Sequence, residues 1–504
     1  MGTSLSALLT LLPAASVVIA ALLCGAILAR GDNMAESRRR LRRLAVAAAS
    51  RPAAGNGAAA GNGAPRRVPS RARRWLPYWL YALLPVWWLA GLSFFQWPLI
   101  VAPLVYPLMR ATGVRAPRRF ALWLAFLLMT VLSATQLSSS SRVVAWTWRE
   151  SFYIASTVLF LFIYNSSERR LPTRAIVNAL AAFWVMIVVG GWFGVLFPTV
   201  SLASPAEHIF PKSLLHNTYF YSHVHLQFAQ VQHFLGFKEG RPQAFFAYTN
   251  AWGSTFAMTL PFALGALSLT PSVVWRRVLV IALAASIVPG VFSLDRGMWL
   301  SLGVGITYAT IRLAARRDLR RVAHIVTVVA LTALLIVVSP LGTLIAGRFT
   351  HKTGDTSRLA RDQAAQAQIT ANPILGYGAP NQATSVTHTS KSVGTESEVF
   401  LLLYSHGVPG LFFCASWLAY TVFRSGRRRP RDPPVMLWIH VALLIACIQA
   451  PYYELTERMP IILTAAALLY RRIAQADAPL PAPAREQRPT VPAATAPTPV
   501  PQSG

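Results

Sequence analysis

The sequence predicts an all-α, polytopic integral membrane protein with about 12–13 transmembrane helices. Three observations lead there. Hydrophobic residues make up 54% of the 504 residues and charged ones only 13%, where a soluble domain has about a quarter charged. The apolar residues gather in runs that approach the roughly 20 residues needed to cross about 30 Å of hydrocarbon. The 43 Arg and 4 Lys lie almost wholly between the runs, with 35 in one alternate set of gaps and 12 in the other. That asymmetry is the positive-inside bias, and it sets the Arg-rich gaps on the cytoplasmic face. The net charge of +30 then serves orientation and contact with anionic membrane lipids, and no nucleic acid is implied as a partner.

In chain order the runs are 5–29, 77–94, 97–110, 119–138, 150–165, 175–197, 246–269, 277–294, 297–314, 323–345, 398–423, 434–450 and 459–471. An odd count places the amino terminus outside and the carboxyl terminus inside. Residues 1–29 have no basic residue ahead of the run and Arg30, Arg38, Arg39 and Arg40 behind it, so a retained amino-terminal helix is expected rather than a cleaved leader. Residues 30–75, with the stretch AAAGNGAAAGNGAP, form a basic low-complexity cytoplasmic linker, and 473–504 a disordered Pro/Ala-rich cytoplasmic tail. Between them, 76–472 is the membrane domain, with two long external loops at 198–245 and 346–397. Cys24, Cys414 and Cys447 all lie inside apolar runs, where they act as small hydrophobes; no disulfide is expected.

Chemistry belongs on the external face, because only there are the gaps long. No Gly-rich phosphate loop between strand and helix exists, so ATP and nucleotide sugars are not the expected substrates. In the second long loop, Thr356 or Ser357 can cap a short external helix over 357–371 that Asn372-Pro373 ends. Arg358 and Arg361 share a face of that helix. Their planar donor forks suit a diphosphate, or they pair with Asp355 and Asp362. Arg296, in the short gap Ser293-Leu294-Asp295-Arg296-Gly297, sits at the membrane boundary and requires a partner or an anionic ligand; Asp295 is the available partner. Tyr248 and Asn250 enter the run at 246–269 just after Arg241, either for packing or for a substrate, since a buried Asn without partners costs about 1–3 kcal/mol. His216, His223, His225 and His233 lack the further ligands a zinc site needs and are expected to be loop surface. No metal and no cofactor are expected.

The order of Arg241-Pro242 with Tyr248-Thr249-Asn250, then Leu294 to Leu300, then Arg348 and Arg358 ahead of Asn372-Pro373-Ile374-Leu375-Gly376-Tyr377-Gly378, then Gly394-Thr395-Glu396 running to Gly407-Val408-Pro409-Gly410, resembles the O-antigen ligase and O-antigen polymerase superfamily. The resemblance covers roughly residues 80–471. It implies a membrane-embedded glycosyltransferase of the all-helical (GT-C-like) architecture that is metal-independent. Such an enzyme moves a glycan from a polyprenyl diphosphate carrier, such as undecaprenyl diphosphate, to a hydroxyl on a glycan or lipid acceptor, outside the cytoplasmic membrane. The implied partners are that lipid-linked oligosaccharide, the acceptor, membrane lipids and other polysaccharide-assembly proteins. By resemblance, Arg296 and Arg348 or Arg358 hold the diphosphate, with Arg361 beside them. Where the family usually has a His-Asn pair, counting eleven residues back from Gly407 lands on Glu396, followed by Ser397 and Glu398. A carboxylate at Glu396 or Glu398, or His388 or His406 nearby, would then be the base, unless the acids serve as partners for Lys391 or an Arg. A single displacement implies inversion at the anomeric carbon. A flippase for lipid-linked glycans would need polar residues deep in several spans, which are mostly clean; a non-catalytic member of the family is the other alternative.

Overall fold

The computed structural model describes residues 72–81, 83–111, 113–231, 240–338, 342, 365–366, 368–382, 392–393, 397–427 and 432–476. Within them the chain is mostly helix, because apolar backbone inside a bilayer must satisfy its own hydrogen bonds. The helices are α1 (Ala72–Tyr81), α2 (Leu84–Leu89), α3 (Gln96–Met109), α4 (Phe120–Ser133), α5 (Ser140–Asn165), α6 (Thr173–Leu196), three short ones in the first long loop, α7 (Pro205–Ile209), α8 (Lys212–Leu215) and α9 (Thr218–Val224), then α10 (Thr249–Leu269), α11 (Val273–Ala285), α12 (Ile287–Phe292), α13 (Arg296–Ala314), α14 (Leu319–Val338), α15 (Glu398–Gly426), α16 (Val435–Gln449) and α17 (Met459–Ala476). The first expected run, 5–29, lies outside the described residues, as do 30–71 and 477–504 of the two low-complexity segments; the expected linker and tail are each shorter at one end, because 72–75 belong to α1 and 473–476 to α17.

Among the described residues, five stretches are long and apolar enough alone to cross a membrane: α6, α10, α11 with α12, α14 and α15. The other expected runs are helices that are shorter or carry ionisable side chains. Two boundaries differ from the sequence reading for physical reasons. The run expected at 150–165 begins at Ser140, because Arg142, Arg149 and Glu150 are buried inside the helix and find partners there. The run at 277–294 breaks at Ser286, whose hydroxyl bonds back to the Leu283 carbonyl at 2.8 Å.

The packing places α5 against α17 and α3, α10 between α6 and α16, α4 against α15, and α13 against α16. Phe120, Phe160, Trp123 and Trp417 fill the seam where α4, α5 and α15 meet. By contrast α14, although equally apolar, buries no residue and touches chiefly α13, as a lipid-facing helix would. Three two-stranded antiparallel ribbons lie in the loops: β1 (Ser201–Ala203) with β2 (His225–Gln227), β3 (Ala229–Gln230) with β4 (Arg241–Pro242), and β5 (Asn381–Gln382) with β6 (Ser392–Val393). The described parts of the two long loops and the connections at 134–139, 293–295 and 450–458 are joined by hydrogen bonds and form the loop-rich end of the bundle.

Candidate active site at the loop-rich end

The connection between α16 and α17, residues 450–458, joins most of the polar groups at the loop-rich end. The Tyr453 carbonyl accepts the Glu398 N–H at 2.8 Å, and the Tyr453 hydroxyl donates to Asp295 Oδ1. Glu454 forms an ion pair with Arg149 of α5 at 3.2 Å. The Leu455 N–H donates to Glu398 Oε2 at 2.7 Å. Glu457 accepts hydrogen bonds from the Tyr219 hydroxyl at 3.1 Å and from His223 Nε2 at 2.9 Å, and Arg458 donates to the Glu454 carbonyl at 3.1 Å. Burial alone would raise the Glu457 carboxyl, but His223, Arg458 and Tyr219 outweigh it and hold it down at about 2. Burial keeps the Tyr219 hydroxyl well above its ordinary value, so it stays a donor.

Glu398 is the first residue of α15, which Ser397 caps by accepting the Phe400 N–H at 3.2 Å. Its side chain is 2% exposed. One carboxylate oxygen is fixed by Leu455, and the other, Oε1, is buried without a hydrogen bond. Arg149, Arg458 and Glu454 lie within electrostatic reach of it. A carboxylate oriented by one oxygen and open at the other is built to accept a proton.

Across Tyr453 sits the second group. Asp295 caps α13 by accepting the Met298 N–H at 3.2 Å, which puts Arg296 in the first turn of that helix, half-buried, where the helix dipole adds to its positive charge. Burial pushes the Asp295 carboxyl up, against the Tyr453 hydroxyl bond and the Arg241 charge, which favour the anion. Arg241, 8% exposed, donates to the Ser293 carbonyl at 2.7 Å and to Asn250 Oδ1 at 3.5 Å. The end of the first long loop is thereby tied to the Asp295-Arg296 turn. Tyr248 accepts from Ser222 at 2.7 Å and stacks on Tyr219.

The return of the second long loop docks at the same end. A helical turn at 368–371 ends at Asn372-Pro373, the end expected from sequence. Residues 373–378 then run across the middle of α15, where Gly407 breaks the helix at φ +68°. A side chain at Gly407 would strike the Ile374 carbonyl, and one at Gly376 would meet the Tyr404 carbonyl at 2.6 Å; both positions need a left-handed backbone and no Cβ. Arg142 of α5, 7% exposed, fastens the segment by donating to the Tyr377 carbonyl and to the Ala379 carbonyl at 2.8 Å.

Of the residues singled out from sequence, Arg241, Tyr248, Asn250, Arg296 and Glu398 are described and lie at one end of the bundle. Glu396, His388, Arg348, Arg358, Arg361 and His233 lie outside the described residues. Asn250 corrects the sequence reading. It is exposed, in the first turn of α10, with Arg241 for a partner, because the helix starts at Thr249 and not at the head of the run at 246. His223 corrects it too: it is 5% exposed, packed on Phe94 and Trp148 and bonded to Glu457, whereas His216 is exposed and His225 bonds Glu207 at 3.0 Å. The sequence reading missed Arg142, Arg149, Glu454, Glu457 and Arg458. Arg142 and Arg149 are seven residues apart, two helical turns, on one face; that spacing was the available signal.

Residues 279–415 match the family model of the O-antigen ligase. The match runs from α11 into α15 and contains both Arg296 and Glu398, while Arg149, Arg241 and the 450–458 connection fall outside it. No curated protein matches the chain. Over residues 279–415 the chain is similar to the O-antigen ligase family, and its long apolar helices are those of a membrane protein.

Proposed function

We propose that this O-antigen ligase-like protein transfers a glycan from a polyprenyl diphosphate to an acceptor hydroxyl at the outer face of the cytoplasmic membrane, without a metal and with inversion. The observation that carries the reading is that Tyr453 joins the Glu398 backbone N–H to the Asp295 carboxylate, so that Glu398, a buried carboxylate with one unbonded oxygen, lies at the same end as Arg296, the residue after Asp295 at a helix amino terminus. Glu398 takes the proton from the acceptor hydroxyl as its oxygen forms the new bond to the anomeric carbon. The bond from that carbon to the carrier's phosphate oxygen breaks, and the departing diphosphate keeps the electron pair. Arg296 stabilises the charge that develops there, since its fork matches two phosphate oxygens; Arg348, Arg358 and Arg361 are proposed to join it. Glu396 and His388 remain the rival bases. The catalytic unit is proposed to span 76–472, with both long loops outside.

The test is transfer by full-length protein in lipid nanodiscs, from a polyprenyl diphosphate oligosaccharide to a glycan acceptor, with EDTA present. Glu398→Gln, which keeps shape and removes the basic oxygen, is expected to lower turnover by about 100-fold or more. Arg296→Lys, which keeps charge and loses the fork, is expected to lower it strongly as well. Full turnover in Glu398→Gln would move the base to Glu396 or His388, and a requirement for added Mg²⁺ or Mn²⁺ would end the metal-free reading.

A further inference from the structure

At the end of the bundle opposite the loop-rich one, α13, α15 and α16 meet around Tyr308. The His440 ring of α16 lies 5.3 Å from the Tyr308 ring, and its Nδ1 is 2.8 Å from Ser425 Oγ of α15. Gly426 closes over both: a Cβ there would come within 3.2 Å of His440 Cε1 and 3.6 Å of the Tyr308 hydroxyl. Two guanidiniums stand on this seam. Arg312 donates to the Tyr308 hydroxyl at 3.0 Å and lies 5.6 Å over its ring. Arg427, the residue after Gly426, is exposed and lies 4.7 Å over the Phe423 ring.

Other arginines at this end are paired with acids of the chain: Arg471 with Glu168 at 2.8 Å, Arg472 with Asp432 at 3.1 Å and Arg321 with Asp318 at 2.9 Å. Among the described residues Arg312 and Arg427 meet no carboxylate, only rings and one hydroxyl. The dipoles at the carboxyl ends of α13 and α15 favour both cations, yet most of their N–H donors are left for an acceptor from outside the chain.

Position in the bilayer says which acceptor. The 19 residues of α13 span about 28 Å at about 1.5 Å per residue, close to the roughly 30 Å of a hydrocarbon core. With Arg296 at one boundary, Arg312 in the last turn reaches the head-group level of the other. The surface beside the two guanidiniums is apolar and open: Ile311 is 61% exposed and Phe423 62%, and α14, which packs on α13, buries no residue. Such a surface is covered by lipid, so the anion that reaches these forks is a lipid phosphate.

We infer that the seam of Tyr308, His440 and Gly426 binds one anionic phospholipid, whose phosphate accepts from the forks of Arg312 and Arg427 while its acyl chains lie on Ile311, Phe423 and α14. The site stands apart from Arg296 and Glu398. Lipid binding there needs no turnover, so it holds whether or not the chain transfers a glycan.

Native mass spectrometry of full-length protein in detergent, titrated with phosphatidylglycerol, reads the first binding step. Wild-type protein takes one phosphatidylglycerol about tenfold more tightly than phosphatidylcholine, whose choline offsets the phosphate charge. Arg312→Gln and Arg427→Gln each weaken that step about tenfold, while Arg169→Gln, at an exposed arginine on the α5–α6 connection, leaves it unchanged. Arg427 lies on the surface, so Arg427→Gln reads the site in folded protein even where Arg312→Gln does not fold. Unchanged binding in Arg427→Gln would remove the site, and equal weakening by Arg169→Gln would reduce it to diffuse charge. Equal affinity for phosphatidylcholine would remove the preference for an anionic lipid. Displacement of the lipid by glycerol 3-phosphate at equal concentration would make the ligand a soluble phosphate and overturn the lipid assignment.

Discussion

Arg149 and Arg471 are buried arginines at opposite ends of the bundle, and the chain binds them in opposite manners. Arg471, 4% exposed, donates to the carbonyls of Leu171 at 2.8 Å and Ser166 at 3.3 Å and to Thr173 Oγ1 at 2.8 Å, and it pairs with Glu168 at 2.8 Å. No buried donor on it is unmet. It clamps the α5–α6 connection onto α17. Arg149 has one good partner, Glu454 at 3.2 Å, and a long bond to the Ala145 carbonyl at 3.4 Å, while its Nε has none. An arginine saturated by its own chain is structural; one left short beside an open carboxylate keeps capacity for a ligand or for a change of partner.

Breaking each arginine in turn separates the two uses. Arg149→Ala leaves Glu454 without its cation beside Glu398, and removing one partner of a buried pair costs about 3–5 kcal/mol. Transfer is expected to fall by about 100-fold or more, with recovery only in part by Arg149→Lys; unchanged turnover would return Arg149 to the structural class. Arg471→Ala is expected to lower the midpoint of thermal unfolding, by about 1–3 kcal/mol of stability, at unchanged specific activity of the folded fraction.

The histidines sharpen the same contrast at smaller scale. His223→Ala removes a donor from Glu457 and a ring from the Phe94–Trp148 stack, and is expected to cost about tenfold in transfer, whereas His216→Ala, at an exposed site, is expected to change nothing. Equal tolerance of both would revive the surface reading of these residues.

Acid should act through Glu457. Its carboxyl falls from 4.5 to about 2 on folding, so it contributes stability that is fully present above about pH 4.5 and is lost as pH falls toward 2. Melting curves from pH 7 down to 2.5 are expected to show that loss in wild-type protein, with a shallower slope in Glu457→Gln; identical slopes would remove Glu457 as its source.

The membrane class and the places of most helices were legible because apolar run length and Arg asymmetry are local properties. The candidate site was legible only where a charge had no local excuse. Arg296 stood in a gap of few residues, and Glu398 stood two residues beyond Glu396, where the resemblance called for a base. Arg149 and Glu454 were not, because their reason for being buried is each other, across 305 positions of chain. The same holds for His223 and Glu457. Asn250 failed in the opposite direction: three residues of error in a helix start turned an exposed side chain into an expected buried one. Hydrophobic pattern fixes a face or a span, and pairing between distant charges is tertiary.

The crossing of Gly376 and Gly407 has a consequence for how this protein can drift over generations. At each of them added carbon would strike backbone, and backbone cannot rotate aside as a side chain does. The strand of loop and the broken helix therefore behave as one heritable unit. A substitution on either half is not neutral until the other half moves, so the pair is expected to change together or not at all. The Arg142 fastening at Tyr377 and Ala379 confines the permitted movement further, which makes this crossing a place where deep mutational scanning should find a sharp trough between tolerant neighbours.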